Sequence, residues 1–319
     1  MKLFVKKALY LIIMLFIISL ISFLAIHMAP NSFFASGQLN PNITPEAIEQ
    51  LKAVYGLDKP LYVQFYFWVL AIIQLDFGIS FASGVLVKNE ILARIPITLT
   101  INIVSMFLIF IISLYLGIKA ALNKDGKLDR GIGQLSLLSF AMPSFYLALL
   151  LVLIFAINFE ILPIAGLHSV PEDGSLNYYL DFAWHLVLPI FIIVFGGIGS
   201  LTLYIRSLTI EILKSDYIFF AKARGLDNKK LLRYYILPNL YPPVITLLGL
   251  SLPGIIGGSV ILETIFSIDG MGLLFYQSAL SHDYPVIMGI LIIGAFLTLL
   301  GNMLADLTLL KLNPNYDGK

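Results

Sequence analysis

Arg206-Ser207-Leu208-Thr209-Ile210-Glu211-Ile212-Leu213-Lys214-Ser215-Asp216-Tyr217-Ile218-Phe219-Phe220-Ala221-Lys222-Ala223-Arg224-Gly225-Leu226-Asp227-Asn228-Lys229-Lys230-Leu231-Leu232-Arg233-Tyr234-Tyr235-Ile236-Leu237-Pro238-Asn239 joins two long uncharged runs and holds seven of the 20 Lys and Arg residues. A polybasic connection between membrane spans faces the cytoplasm. Ser215-Asp216 offers a helix N-cap, 217–224 has room for about two turns, and Gly225 stands where a left-handed residue ends a helix. Asp227 can cap a second helix through Leu231, Leu232 and Tyr235 toward Pro238. The pattern predicts a helix, a glycine break and a second helix, forming a rigid cytoplasmic knob.

Outward from this loop, composition sets the class. The chain is 59% hydrophobic and 12% charged, with a mean hydropathy of +0.93, far from a soluble profile. Uncharged runs at 8–45, 95–118, 131–159, 182–205, 234–262 and 284–305 each hold the roughly 20 apolar residues that cross a ~30 Å hydrocarbon layer. Six transmembrane helices are expected near 8–28, 97–119, 134–158, 184–206, 240–261 and 286–308. The apolar core of the first, about 21 residues, exceeds a signal-peptide core, so it is read as an uncleaved span.

Sixteen Lys and Arg residues fall in the N-terminus, the 119–130 loop, the 206–233 loop and the tail, while 158–183 and 262–285 contain none. Both termini are therefore expected in the cytoplasm. The 29–96 connection is expected outside. Within it, Thr44 and Pro45 read as a helix start, and the 15 residues from Leu61 to Leu75 read as an amphipathic helix lying at the membrane interface.

Several chemistries lack their residues. No Gly-x-x-x-x-Gly-Lys-[Ser/Thr] loop occurs, so any ATP-driven step needs another chain to bind nucleotide. Cysteine is absent, which excludes disulfides and thiolate metal sites. His27, His168, His185 and His282 have no metal-ligand spacing. Pro143, Pro189 and Pro253 are expected to kink spans three to five. Gly196, Gly197, Gly199 and Ser200, and the Gly254/Gly257/Gly258 group, make small-residue faces for close helix approach. Glu263 follows an uncharged helix, Asp269-Gly270-Met271-Gly272 reads as a turn, and Leu273–Leu280 as a short helix.

Asp216-Tyr217, Ala221-Lys222-Ala223-Arg224-Gly225-Leu226 and Leu237-Pro238 resemble the EAA loop of the permease subunits of bacterial ABC importers, in the variant of the peptide/nickel branch. With Gly225 on the motif glycine, Phe219, Phe220 and Ala221 take the Glu-Ala-Ala positions. Other landmarks recur in order: Tyr55-Gly56-Leu57-Asp58-Lys59-Pro60-Leu61, Asp76-Phe77-Gly78-Ile79-Ser80, Pro96-Ile97-Thr98-Leu99, Leu128-Asp129-Arg130, Pro143-Ser144-Phe145, His185-Leu186-Val187-Leu188-Pro189, Glu263-Thr264-Ile265-Phe266-Ser267, Gly270-Met271-Gly272 and Asp283-Tyr284-Pro285-Val286. Ala29-Pro30-Asn31-Ser32 and Ser267-Ile268-Asp269-Gly270 depart from the family's Ala-Pro-Gly-Asp and Ser-Trp-Pro-Gly.

The resemblance implies an all-α membrane protein of the type I (MetI-like) importer architecture, with an extracytoplasmic insertion after the first helix. It implies an N-terminal helix and extracytoplasmic region at 1–94, a five-helix permease core at 95–310 carrying the coupling loop 206–239, and a cytoplasmic tail at 311–319. Asp216, Tyr217, Phe220, Ala221, Ala223, Arg224, Gly225 and Leu226 would meet an ATPase, with Ala221 and Ala223 small to fit its cleft. Glu263, Phe266, Asp269, Gly270, Gly272 and Asp283 would form an outer gate or dock a solute-binding protein.

The implied partners are a second homologous permease, two ABC ATPases, the binding protein and membrane lipid, without nucleic acid. This chain would bind no cofactor, leaving ATP and Mg to the ATPases, and would catalyse no covalent chemistry. The solute would be a peptide or a nickel or other metal chelate, moved by alternating access. A self-contained secondary transporter or channel is the alternative; it would show inverted repeats and titratable mid-span residues. A membrane-embedded hydrolase would need a His-Glu-x-x-His motif or a nucleophile with a base, neither of which is evident.

Overall fold

A computed structural model of the chain describes residues 2–28, 59–251 and 259–312. The Thr44/Pro45 helix start, Tyr55–Asp58, Pro253, Gly254, Gly257, Gly258 and tail residues 313–319 lie outside the described residues. In chain order the helices are α1 (Lys2–Met28), α2 (Leu61–Ile73), α3 (Val87–Leu122), α4 (Lys127–Ala141) and α5 (Ser144–Leu151), which continues as a π-helix over Val152–Asn158. Then come α6 (Leu176–Leu213), α7 (Asp216–Ala223), α8 (Asn228–Leu231), a π-helix at Leu232–Ile236, α9 (Leu237–Ser251), α10 (Val260–Ile265), α11 (Met271–Leu280) and α12 (Tyr284–Leu312). Among the described residues the β pairing is the isolated bridge Ile79–Leu86.

Among the described residues, three helices are each long and apolar enough to cross a membrane, α3, α6 and the Tyr284–Met303 part of α12, or four if the bent pair at 127–158 is one span. The expected kink at Pro143 in the span at 134–158 is a sharp break in the structure. The chain divides there into α4 and the 144–158 helix, which meet at 99°. Pro143 has no N–H to continue the helix, and it drives Met142 into the extended region at φ −85, ψ 121. Pro189, by contrast, lies inside an unbroken α6. Within the expected span at 240–261, the described residues are those of α9 up to Ser251 and of α10 from Val260, where the Ser259 hydroxyl accepts the Leu262 N–H.

The described residues group into two compact units, one within 1–98 and 269–300, the other within 99–268 and 301–319. In the first, Phe77, Val87, Ile91, Met271, Leu274, Val286 and Ile292 form the core, with Trp68 and Ile72 packed against it. Gly289 lets backbone approach here, because a Cβ would lie 2.8 Å from Val87 Cγ1. The helix α2 packs its Phe65 ring on Phe16 and Phe23, at 5.7 and 5.3 Å. Its amphipathic reading is corrected: no α2 residue is fully buried, and Tyr62, Tyr66, Phe67 and Leu70 are exposed. Nearly every position is apolar, so no polar stripe exists to define a wet face.

In the second unit α4 runs antiparallel along α6, as three contacts in register show. Asp129 meets Arg206, Ser136 meets Gly199, and the Ser139 hydroxyl donates to Phe195 O. A Cβ on Gly199 would sit 2.5 Å from Ser136 O, and one on Gly117 2.8 Å from Thr202 O. These glycines let α3, α4 and α6 close to backbone contact. Beneath the polybasic loop, Ile118, Ile205, Ile218, Ala221, Leu231, Ile236 and Leu240 form a second core.

Candidate functional site

The polybasic loop folds as a helix, a break and a helix. Ser215 occupies the N-cap of α7, but its hydroxyl donates back to Ile212 O at 2.6 Å rather than accepting from the new helix. The far end is closed by Gly225 at φ +78. There the Leu226 N–H reaches Ala221 O at 3.3 Å and the Gly225 N–H reaches Lys222 O at 2.9 Å, satisfying carbonyls that the helix end would leave open. Asp227 caps α8, its carboxylate accepting the Lys230 N–H at 2.9 Å. The chain then stays helical through the π-turn at 232–236 and Pro238 into α9.

The two faces of α7 differ. Ile218 and Ala221 are buried, at 0% and 2% exposure, in the core with Ile118 and Ile205. Ala221, expected to meet an ATPase, is thus packed in this chain's own core with Ile118 of α3 and Ile205 of α6. Asp216, Tyr217, Phe219, Phe220, Ala223, Arg224 and Gly225 are exposed, and Leu226 is half-buried. Phe219, absent from the expected site, is the most exposed of the aromatic side chains on the helix, and its ring stands 5.7 Å from that of Phe220. Its signal in the sequence is the Phe-Phe doublet that replaces Glu-Ala in the motif.

The residues expected at the outer face behave otherwise. Asp283 is 1% exposed and caps the 80–83 turn. It accepts the Ser80 hydroxyl at 2.5 Å and the N–H groups of Phe81 and Ala82, each at 3.1 Å. Two landmarks that are separate in sequence, Asp76–Ser80 and Asp283–Val286, are thus one structural device. Gly270 and Gly272 are buried at the start of α11, where Gly270 has no side chain to cap the helix. The Thr98 hydroxyl fills that role, accepting the Met271 N–H at 2.9 Å. Asp269 is exposed and pairs with Arg94 at 2.8 Å.

Glu263 and Phe266 lie in the other unit. Glu263 is 4% exposed and faces a small crevice lined by Asn102, Pro189 and Ser259. Phe266 is also buried, and its carbonyl accepts the Gly166 N–H at 2.7 Å. The Glu263 carboxylate, expected at an outer gate or docking surface, thus faces the interior of its unit. In the same unit a cavity of about 500 Å³ opens between α3, α6 and α9, with Asn102, Ser200, Tyr204 and Ser251 as its polar lining and Phe110 and Gly197 among its apolar lining.

Comparison with known proteins adds to this geometry. Residues 113–317 match the family described as binding-protein-dependent transport system inner membrane component, and residues 1–102 match its N-terminal membrane component. The chain is 35% identical over 314 residues to the oligopeptide transport system permease protein AppB of Bacillus subtilis (strain 168), covering 98% of both chains. It is 32% identical over 315 residues to the oligopeptide transport system permease protein OppB of Haemophilus influenzae, again over 98% of both. The metal-staphylopine import system permease protein CntB of Staphylococcus aureus (strain NCTC 8325 / PS 47) is 30% identical over 316 residues, 98% of this chain and 97% of that one. Among solved structures, a chain of the inward-facing MetNI methionine ABC transporter matches with a TM-score of 0.56 and 17% identity, over 70% of this chain and 96% of that chain. At that identity the likeness concerns the fold.

Proposed function

Because the chain belongs to the family of binding-protein-dependent transport system inner membrane components, we propose that the exposed face of α7 is where partner ATPases drive it. The chain is a permease subunit of the peptide/nickel branch of ABC importers and a multi-pass membrane protein. In this reading it crosses the membrane six times with both termini in the cytoplasm. The 1–94 region supplies the first span and an extracytoplasmic insertion, and 95–310 the permease core. A second homologous permease completes the pathway, two ATPases hold ATP and Mg, and a solute-binding protein delivers cargo outside. The chain itself catalyses no covalent step. The solute is a peptide or a metal chelate, the cargo classes in the names of its relatives.

One observation carries the coupling role: α7 is seated by Ile218 and Ala221 while Tyr217, Phe219, Phe220, Ala223 and Arg224 face outward. A seated helix transmits displacement to the spans beneath it, whereas a solvated loop absorbs it. The cavity beside Asn102 and Tyr204 is this chain's share of the solute path, with hydroxyl and amide groups on an otherwise apolar wall.

The test is reconstitution with the matching ATPases, second permease and binding protein, followed by uptake of a panel of peptides and metal chelates. ATP- and binding-protein-dependent uptake is expected. Uptake by the chain alone, without ATPase, would instead establish the secondary-transporter reading.

A further inference from the structure

Asp129 lies in the first turn of α4 and is 5% exposed. The Arg206 guanidinium occupies both of its oxygens, Nε at 2.6 Å from Oδ1 and Nη2 at 2.7 Å from Oδ2. Oδ2 also accepts the N–H of Asp125 at 2.9 Å, from a turn in which Asp125 itself has φ +65. A guanidinium fork on a carboxylate fixes both distance and angle, which a lysine at that position would not do.

The placement of the pair matters more than its strength. Arg206 follows Ile205, which is fully buried in the core that seats Ile218 and Ala221 of α7. One end of the pair is thus a single residue from the floor of the coupling helix, and the other is the first turn of α4. Further along, α4 is held to α6 by the close approach of Ser136 to Gly199 and by the Ser139–Phe195 hydrogen bond. As a stabiliser alone, a buried ion pair does no better than a well-packed apolar pair. What the bidentate pair adds is a fixed register between α4 and α6 at their α7-proximal end.

We infer that Asp129–Arg206 is a positioning strut that makes α4 follow α6 when α7 is displaced. Neither residue touches solute or nucleotide. Without the strut, the turn at 123–126 absorbs the movement, and ATP hydrolysis proceeds without moving α4. The inference rests on the importer reading above and adds to it the path by which motion leaves the coupling helix.

The test uses the full importer complex in proteoliposomes, reading solute-stimulated over basal ATP hydrolysis together with uptake. Asp129→Asn keeps the side-chain shape and removes the charge. It is expected to lower the stimulation ratio and uptake roughly 2- to 30-fold, the range that lost coupling along a packed network produces, with basal hydrolysis retained. Because the chain has no cysteine, Asp129→Cys with Arg206→Cys can be bridged by a short reducible thiol cross-linker. Bridging is expected to restore the ratio and reduction to abolish it again, which decides the matter even if Asp129→Asn assembles poorly. A wild-type ratio in Asp129→Asn, or a bridged complex as uncoupled as the reduced one, overturns the strut alone. If the unsubstituted complex shows no solute-stimulated hydrolysis, the importer reading fails and the strut with it.

Discussion

Asp216 to Gly225 and Glu263 to Gly272 share a vocabulary of acid, aromatic and glycine, yet the backbone uses it in opposite ways. In the first region the glycine ends a helix whose aromatic side chains face outward. In the second, Glu263, Phe266, Gly270 and Gly272 are all buried, as is Asp283, which closes the segment. A contact surface needs side chains that are held from below and free above, and α7 meets both conditions. The residues expected at the outer face mostly meet the first. An acid within a motif can therefore be a building element, and burial distinguishes it from a contact.

This contrast breaks most readily at Asp283. Replacing it by Ala leaves the Ser80 hydroxyl and two N–H groups without their acceptor. A loss of about 4 kcal/mol is expected, read as a marked fall in unfolding temperature in detergent. A variant as stable as wild type but defective in binding-protein docking would return Asp283 to the contact class.

Ala221 and Ala223 sharpen the comparison within one helix. Ala221→Glu forces a carboxylate into the core and should cost about 3 kcal/mol, lowering membrane accumulation. Ala223→Glu, on the exposed face, should leave accumulation intact and weaken ATPase retention on purification. Equal accumulation of the two variants would contradict the inward assignment of Ala221.

Gly225→Val places a β-branched residue at φ +78 and is expected to cost about 1–2 kcal/mol. Thermal unfolding should detect this shift, and uptake should fall with it because the C-terminal end of α7 is no longer held. Gly131, inside α4 with open space around its Cβ position, provides the control: Gly131→Ala should leave uptake unchanged and raise stability by about 0.5–1 kcal/mol, the opposite sign, because alanine favours a helix interior.

The smallest effect on stability is expected from Phe219→Ala combined with Phe220→Ala. Both rings are exposed, so unfolding should shift by no more than about 0.5 kcal/mol. Retention of the ATPase, in contrast, should drop about tenfold or more, as truncation of paired aromatic anchors does. Full retention would move the contact to other residues of the loop.

Much of the polybasic loop was legible because its signals are local. The Gly225 break and the Asp227 cap each depend on a few neighbouring residues, and both stand where the pattern places them. Which side of α7 faces inward was not legible, since Tyr217, Ile218, Phe219 and Phe220 are all apolar or aromatic and give no stripe to read. The bend at Pro143 was visible as a kink, but its 99° extent was not, because a proline reveals a missing hydrogen bond and not the packing that takes up the resulting angle.

The sequence by itself determined the membrane class, the basic loop and its order of helix, break and helix. Hydropathy, charge and capping act over one span or one turn and need no distant partner. Only the tertiary structure decided that Asp283 would meet Ser80, 203 residues away, and that Asp129 would meet Arg206, 77 away. Those pairings are set by how closely helices approach at positions such as Gly199 and Gly289, and close approach depends on the shapes of two packed surfaces together, which neither segment encodes alone.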